Sequence, residues 1–445
     1  MGVATVIAAG VAARGLASAQ ELTLDEAISV ALKSNRAVQN AAIEAGKFDD
    51  RKISLRSQLF PNARIFGIAG EPLGGFDFIL GRGVLGADSG GGPIPQSDVN
   101  LRNSLRPVGV VAASVVQPLS AIPTIRKNLG LLDIQKQVAE EQTRLERQTL
   151  VRDIRQIYYG IQSLQSSLRA TRESVRLFQE VVRVTTEYAE KRQVLDVDLL
   201  DAQVHLAKAL EGVLDLENQR ETLKAKLNQK MGRNVLLEFT VPEIPSAADG
   251  SLPDSLPDVA EARQRALSQR PEARQAQLKI DQATAEMRIA RAGFDPTIAA
   301  QFIGIETTPI NAFFPHQFGI AGVSIAWEPF TWGRKKSELS QHRRELQEAV
   351  NRQEDAKGDV VADVGEQYRR MQLASARLHV ASLNRQMTAE SLRIAQKQYE
   401  VQFSLLKTVL QAQAAVETAT ADYSRTLSEL WTARAEYQRA LGEEQ

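Results

Sequence analysis

The 445-residue sequence contains no cysteine. That excludes disulfides, thiolate metal sites, a cysteine nucleophile and a lipid-modified N-terminal cysteine. Aromatic residues are scarce, at 5%. A mixture so poor in aromatics and rich in Ala, Leu, Gln, Glu and Arg favours long helices over a compact sheet enzyme. Neither sign of charge is in excess, with 54 basic and 54 acidic residues. Nucleic acid as a partner would demand a basic surplus, so none is expected. Beyond the N-terminus no segment offers the ~20 unbroken apolar residues of a transmembrane helix. The four histidines, His205, His316, His342 and His379, show no ligand spacing. No G-x-S-x-G or paired catalytic constellation occurs. The sequence is therefore read without cofactor, metal site, catalytic residue or enzymatic activity.

Residues 1–19 read as a secretory signal peptide. Val3 to Val11 is an apolar run too short to span a bilayer, and Ala17-Ser18-Ala19 is a small-x-small cleavage site. An exported chain with no spanning helix is periplasmic, secreted, or an outer-membrane barrel. Gly81-Arg82-Gly83-Val84-Leu85-Gly86 has the G-x-G-x-x-G spacing, but Gly90 to Pro93 and Pro95 follow where a phosphate-binding helix would be needed. A flexible surface loop is expected there.

Internal repetition is the most informative feature. Glu26-Ala27 and Ala31-Leu32 align with Glu261-Ala262 and Ala266-Leu267, and the same shift carries Arg56 to Arg291 and Pro61 to Pro296. Further on, Gln117-Pro118-Leu119 aligns with Glu328-Pro329-Phe330, Leu200-Asp201-Ala202-Gln203 with Leu410-Gln411-Ala412-Gln413, and Gly232 with Gly442. The repetition predicts a first unit over 20–240, with a helix at 24–58, strands at 63–69 and 108–117, and helices at 124–191 and 198–231. A Pro-rich linker follows at 241–257. The second unit, 258–445, has a helix at 258–292, strands at 297–306 and 318–328, and helices at 333–401 and 408–441. The long helix of each unit would span roughly 100 Å at 1.5 Å per residue, which no globular domain needs, and the two shorter helices end to end match it. Ile154, Ile157, Ile161, Leu164 and Leu168 step by alternating three and four, as do Leu199, Ala202, Leu206 and Ala209, and again Val409, Ala412, Val416 and Ala419. That is a coiled-coil seam. A soluble coiled-coil rod fits the helices alone as well.

The strands separate a channel from a rod. Two per unit make four per chain, and membrane barrels begin at about eight, so a spanning version must pool strands from several chains. Twelve of the 24 aromatic residues lie within 60–78 and 294–332, consistent with the aromatic girdles of outer-membrane barrels. On 318–328, Val323, Ile325 and Trp327 would face lipid, and Ser324, Ala326 and Glu328 a lumen.

With these features the sequence resembles the TolC family of outer-membrane efflux and secretion channels over nearly all of 22–442. The resemblance is carried by the duplication, the Ala31-Leu32 to Pro61 spacing and its copy, Gln117-Pro118-Leu119 with Glu328-Pro329-Phe330, the Trp332-Gly333-Arg334 turn, and Tyr399 followed by Leu410-Gln411-Ala412. It implies a mainly α fold with a small β part, a homotrimer with a 12-stranded β-barrel in outer-membrane lipid, and a 12-helix barrel in the periplasm. It also implies a passive duct for substrates brought by an inner-membrane pump through a periplasmic adaptor protein. The periplasmic constriction would lie at the break between long and short helices. The family's two second-copy aspartates fall, by ungapped match from Tyr399, on Thr408 and Gln411, so the acidic ring is absent, and its glycine is replaced by Lys191 and Gln402. Asp196, Asp198 and Asp201 remain in the first copy, either as helix caps or as constriction residues. Trp327, Phe330 and Trp332, with Arg126, Lys127, Arg334, Lys335 and Lys336 at helix starts, are candidates for the membrane interface. Cations there oppose the helix dipole, and anionic headgroups worth ~1 kcal/mol per contact would compensate them; a solvated basic turn fits equally. The competing readings are a periplasmic coiled-coil adaptor or scaffold with no pore, and a helical enzyme.

Overall fold

The computed structural model describes residues 20–71, 77–88, 90, 92–102, 108–191, 195–242, 258–307, 316–400, 403 and 406–443. The segment read as a signal peptide, 1–19, and most of the one read as a linker, 243–257, lie outside the described residues. In chain order the first half forms β1 (Gln20–Glu21), α1 (Leu24–Ser34), α2 (Arg36–Ser57), β2 (Asn62–Gly70), β3 (Asp77–Leu80), β4 (Ala87–Asp88), β5 (Gly92–Pro93), β6 (Val99–Arg102), β7 (Val108–Pro118), α3 (Ile122–Glu190), α4 (Asp196–Lys230) and β8 (Phe239–Thr240). The second half forms α5 (Val259–Gln269), α6 (Pro271–Ala292), β9 (Thr297–Thr307), β10 (Gln317–Ala326), α7 (Arg334–Glu400) and α8 (Leu406–Ala440).

Two helices stand where the sequence reads one, in both copies. The helix read over 24–58 breaks at Asn35, and that read over 258–292 breaks at Arg270. Asn35 has extended backbone, and its Oδ1 accepts the N–H groups of Ala37 and Val38 at 2.9 and 3.2 Å, so it caps α2. Its Nδ2 donates to the Lys230 carbonyl at the end of α4, 2.8 Å away. At the matching position Arg270 is extended and precedes Pro271, the first residue of α6, where a missing N–H costs nothing. The start of α1 is a capping box: Thr23 Oγ1 accepts from Glu26 N–H, and Glu26 Oε2 accepts from Thr23 N–H at 3.1 Å.

The chain divides into two compact units. The first comprises Met1–Glu44, Ala139–Gln277 and Arg352–Gln445. Its cores are the seams of the long and short helices. Ile154, Ile161 and Leu227 have no exposed surface, and Leu168, Phe178, Ala202 and Ala209 are buried with them. Burying one such aliphatic side chain stabilises the fold by roughly 1.5–3 kcal/mol. The second copy repeats this with Val364, Met371, Leu430 and Tyr437. Tyr159 meets Trp431 edge-on at 5.2 Å between ring centres. The parallel pair β1–β8 places Leu22 and Phe239 in the first core.

Charge ties the helix breaks down. Arg270, almost fully buried, donates to Asp363 at 2.7 Å and Glu272 at 2.6 Å, and Arg439 donates to Asp363 at 3.1 Å. Burial pushes the Asp363 carboxyl up, but hydrogen bonds from Gln367 and Arg270 and the charges of Arg439 and Arg270 outweigh it and hold it below the ordinary range. In the first copy Asp153 takes the corresponding place, bonded by Lys230 and Arg152, both at 2.7 Å. Gly232 and Gly442 end α4 and α8 with φ of +68° and +82°, and both abut the breaks. Arg233 N–H closes on the Asn228 carbonyl, and Glu443 N–H on that of Gln438, the hydrogen bonds of a Schellman cap.

The second unit comprises Ala45–Val138 and Leu278–Asn351. It holds a four-stranded antiparallel sheet in the order β10-β9-β7-β2. The loop at 81–86 lies between short ladders, β3 with β6 and β4 with β5, and Asp98 Oδ1 accepts the Arg82 N–H at 2.7 Å. Among the described residues the next helix after its glycines is α3, which begins only at Ile122.

Candidate functional site

The sheet's register sorts its side chains into two faces, because directly paired residues project to the same side. One face carries Ile65 on β2, Val111 and Val115 on β7, Ile298 and Phe302 on β9, and Val323 and Ile325 on β10. Only Ala and Gly lie between them, and polar residues occur only at the ends: Gln117 at one, Glu306 and Gln317 at the other. Gln317 Nε2 donates to Glu306 Oε1 at 3.1 Å. The opposite face mixes characters. Asn62, Arg64, Ser114, Gln301 and Ser324 lie toward the helix ends, and Phe66, Ile68, Ile303, Phe318 and Ile320 toward the loop ends.

Among the described residues, neither face has a covering layer. Ile65 is 81% exposed, Ile325 69% and Ile320 62%. A soluble protein does not leave so many large apolar side chains in one contiguous patch. Strands of 9 to 11 residues match what a tilted strand needs to cross a bilayer core. Among the described residues the edge strands β2 and β10 each pair on one side only, leaving a row of backbone N–H and C=O groups open.

Beyond β10, Trp327 is 62% exposed, Phe330 87% and Trp332 fully exposed. Trp332 has φ of +50°, a left-handed conformation that costs a bulky residue free energy, and Gly333 follows at +87°. Arg334 is already compensated, by Glu328 at 2.9 Å and Glu338 at 3.2 Å. Arg126, Lys127, Lys335 and Lys336 have no carboxylate partner among the described residues, and Arg126, Lys127 and Lys336 are exposed.

The breaks between long and short helices lie in the first unit, and residues 192–194, 401, 402, 404 and 405 lie outside the described residues. Asp198 Oδ2 accepts the Leu195 N–H at 3.3 Å, so this aspartate closes the first turn of α4. Asp196 is exposed in the same turn. Asp201, one turn on, is free of backbone duty; its carboxylate is 3.9 Å from His205 Nε2. Tyr399 is near its counterpart Tyr188, and burial first, then that neighbour, pushes its hydroxyl above the usual phenol range. Thr408 and Gln411 are exposed on α8. Sequence reasoning missed the Arg270–Asp363–Arg439 cluster, although Pro271 was the available signal for the break beneath it.

A duplicated helix–strand–strand–helix chain, with an uncovered apolar sheet open at both edges, defines a class of membrane channel subunit. The outer membrane efflux protein family matches residues 100–233 and 262–443, and the chain belongs to that family. A search of curated protein sequences gives no match. Among solved structures, the outer-membrane channel OprN is similar at TM-score 0.74 and 17% identity, covering 94% of this chain and 89% of that one. VceC of Vibrio cholerae is similar at TM-score 0.73 and 15% identity, covering 94% and 96%. The MtrE channel of Neisseria gonorrhoeae, in its open state, is similar at TM-score 0.70 and 17% identity, covering 94% and 88%. At these identities the likeness is one of fold. The chain is an outer-membrane efflux channel protein with a periplasmic helical part, rather than a pore-free coiled-coil scaffold.

Proposed function

We propose that the chain works as a homotrimer, forming a passive exit duct for substrates that an inner-membrane pump delivers through a periplasmic adaptor protein. The open edges of the four-stranded sheet carry this reading. Hydrocarbon offers no water to satisfy a strand edge, so β10 of one copy must pair with β2 of the next until the ring closes. Three copies supply twelve strands, an even number above the minimum of about eight. The uniformly apolar face then meets lipid and the mixed face lines the lumen. Trp327, Phe330 and Trp332 sit at the interface, and Arg126, Lys127, Lys335 and Lys336 meet anionic headgroups. Asp201, with Asp196, Tyr399, Thr408 and Gln411, lines the periplasmic constriction, whereas Asp198 serves as a cap. The repeats 20–240 and 258–445 descend from one duplicated unit. The chain performs no reaction, and energy comes from the pump.

The test is planar-bilayer conductance of the purified protein together with chemical cross-linking. Discrete channel steps and a ladder ending at three subunits are expected. A water-soluble monomer without conductance overturns the proposal.

A further inference from the structure

The second unit contains a cluster that the channel reading does not use. Glu286 on α6 and His342 and Glu345 on α7 each offer a ligand atom within 4.8 Å of the other two. His342 Nδ1 is 2.7 Å from Glu345 Oε2, one turn along the same helix. That pair accounts for two of the three residues. It does not account for Glu286, whose carboxylate is brought from another helix toward one already present. Two carboxylates at this separation repel unless a cation lies between them. No Lys or Arg forms an ion pair with either among the described residues.

Each carboxylate is also oriented. Gln282 Nε2 donates to Glu286 Oε1 at 2.9 Å, and Gln341 Nε2 donates to Glu345 Oε1 at 2.8 Å. In both cases a glutamine one turn earlier on the same helix ties one oxygen and leaves the other for a further partner. Such outer hydrogen bonds are how metal-binding carboxylates are held in place.

We propose that Glu286, His342 and Glu345 bind one borderline first-row divalent cation of the Zn2+ type. One imidazole nitrogen and two carboxylate oxygens suit Zn2+, Co2+ or Ni2+ better than Mg2+ or Ca2+, which favour oxygen alone. With bonds of about 2.1 Å the donors would stand roughly 3–4 Å from one another, so the His342–Glu345 pair, now at 2.7 Å, opens slightly and Glu286 draws in. The fourth position is left to water. Because α6 leads into β9 and β10 leads into α7, the cation joins the two helices that flank this strand pair. The sequence hides the site, since only His342 and Glu345 have a helical spacing and Glu286 arrives through the tertiary fold.

The test is calorimetric titration of the full-length protein in detergent with Zn2+, paired with the absorption spectrum of the Co2+ form. Expected are one ion per chain, visible d–d bands, and at least tenfold weaker binding in His342→Ala and in Glu286→Gln. His379→Ala, on the same helix but outside the cluster, retains wild-type binding. Glu286→Gln and Glu345→Gln are isosteric and carry the test if His342→Ala does not fold. Absence of saturable binding at 1:1, or binding as tight as wild type in both Glu variants, overturns the proposal. The outcome is independent of conductance, so its failure leaves the channel reading standing.

Discussion

Replacing Gly232 by alanine should destabilise the first unit more than any other Gly-to-Ala change in the described helix ends. The residue sits at φ +68°, where an L side chain costs about 1–2 kcal/mol. A Cβ built there falls on the Ser34 carbonyl oxygen, with the Ser34 carbonyl carbon 2.9 Å away. Both are backbone atoms at the end of α1, so relief requires moving that helix against the core of Ile154, Ile161 and Leu227; forced overpacking costs a further ~1–3 kcal/mol. The expected loss is roughly 2–5 kcal/mol. Gly442→Ala, at φ +82° with its nearest contacts at 3.0 Å, should lose less, about 1.5–3 kcal/mol. Gly358→Ala, inside α7 with open space around it, should gain up to ~1 kcal/mol from helix propensity. Gly232→Asn separates the two causes, because asparagine tolerates the left-handed region yet carries the same Cβ. The assay is guanidinium unfolding of the full chain in detergent, followed by far-ultraviolet circular dichroism, with hydrogen exchange localising the loss to the break at Asn35. A Gly232→Ala midpoint equal to wild type, or a Gly358→Ala loss of similar size, refutes the reasoning.

Arg270→Met should cost roughly 3 kcal/mol, the lower part of the usual range for breaking a buried pair, because Arg439 still holds Asp363; unfolding midpoints measure it. Asp363 and Glu272 both have folded pKa values below their ordinary 3.8 and 4.5, so their stabilisation is complete above about pH 5 and is lost as pH falls through those values and lower. An acid titration of unfolding should therefore show a decline below pH 5 that shrinks in Arg270→Met. Val323→Arg places a charge on the apolar face and should cost up to about 2–4 kcal/mol per chain in the membrane, reducing the outer-membrane fraction, whereas Ser324→Arg on the other face is tolerated. Asp198→Ala should lower stability by about 1 kcal/mol and leave single-channel conductance unchanged. Asp201→Ala should do the reverse, reducing cation conductance with no change in the unfolding midpoint.

The helix–strand–strand–helix order and its duplication were legible because they rest on local signals. The three-four seam of Ile154, Ile161 and Leu168 predicts a buried stripe from spacing alone, and all three residues are buried. Val323 and Ile325 alternate with Ser324 and Ala326, so strand periodicity separates their faces, and the register confirms the separation. The flat reading of 24–58 and 258–292 as single helices failed for a different reason. Asn35 and Pro271 were local signals of the breaks, but the 3.6-residue pattern runs on past both, and the breaks are fixed where the ends of α4 and α8 dock. The conformation of the loop at 81–86 was not legible, because its glycines permit many turns and the pairing of β3 with β6 selects among them.

The sequence by itself determined where chain folds back, which stripes must be buried and that four strands per chain are too few to close. Each of those follows from short-range periodicity, length and counting. Only the tertiary structure decided which charges meet: Asp363 with Arg270 and Arg439, Asp153 with Lys230, Lys52 with Asp133. Ion pairs between distant segments depend on helix azimuth and register to within an ångström or two, and side-chain spacing along one chain does not encode either.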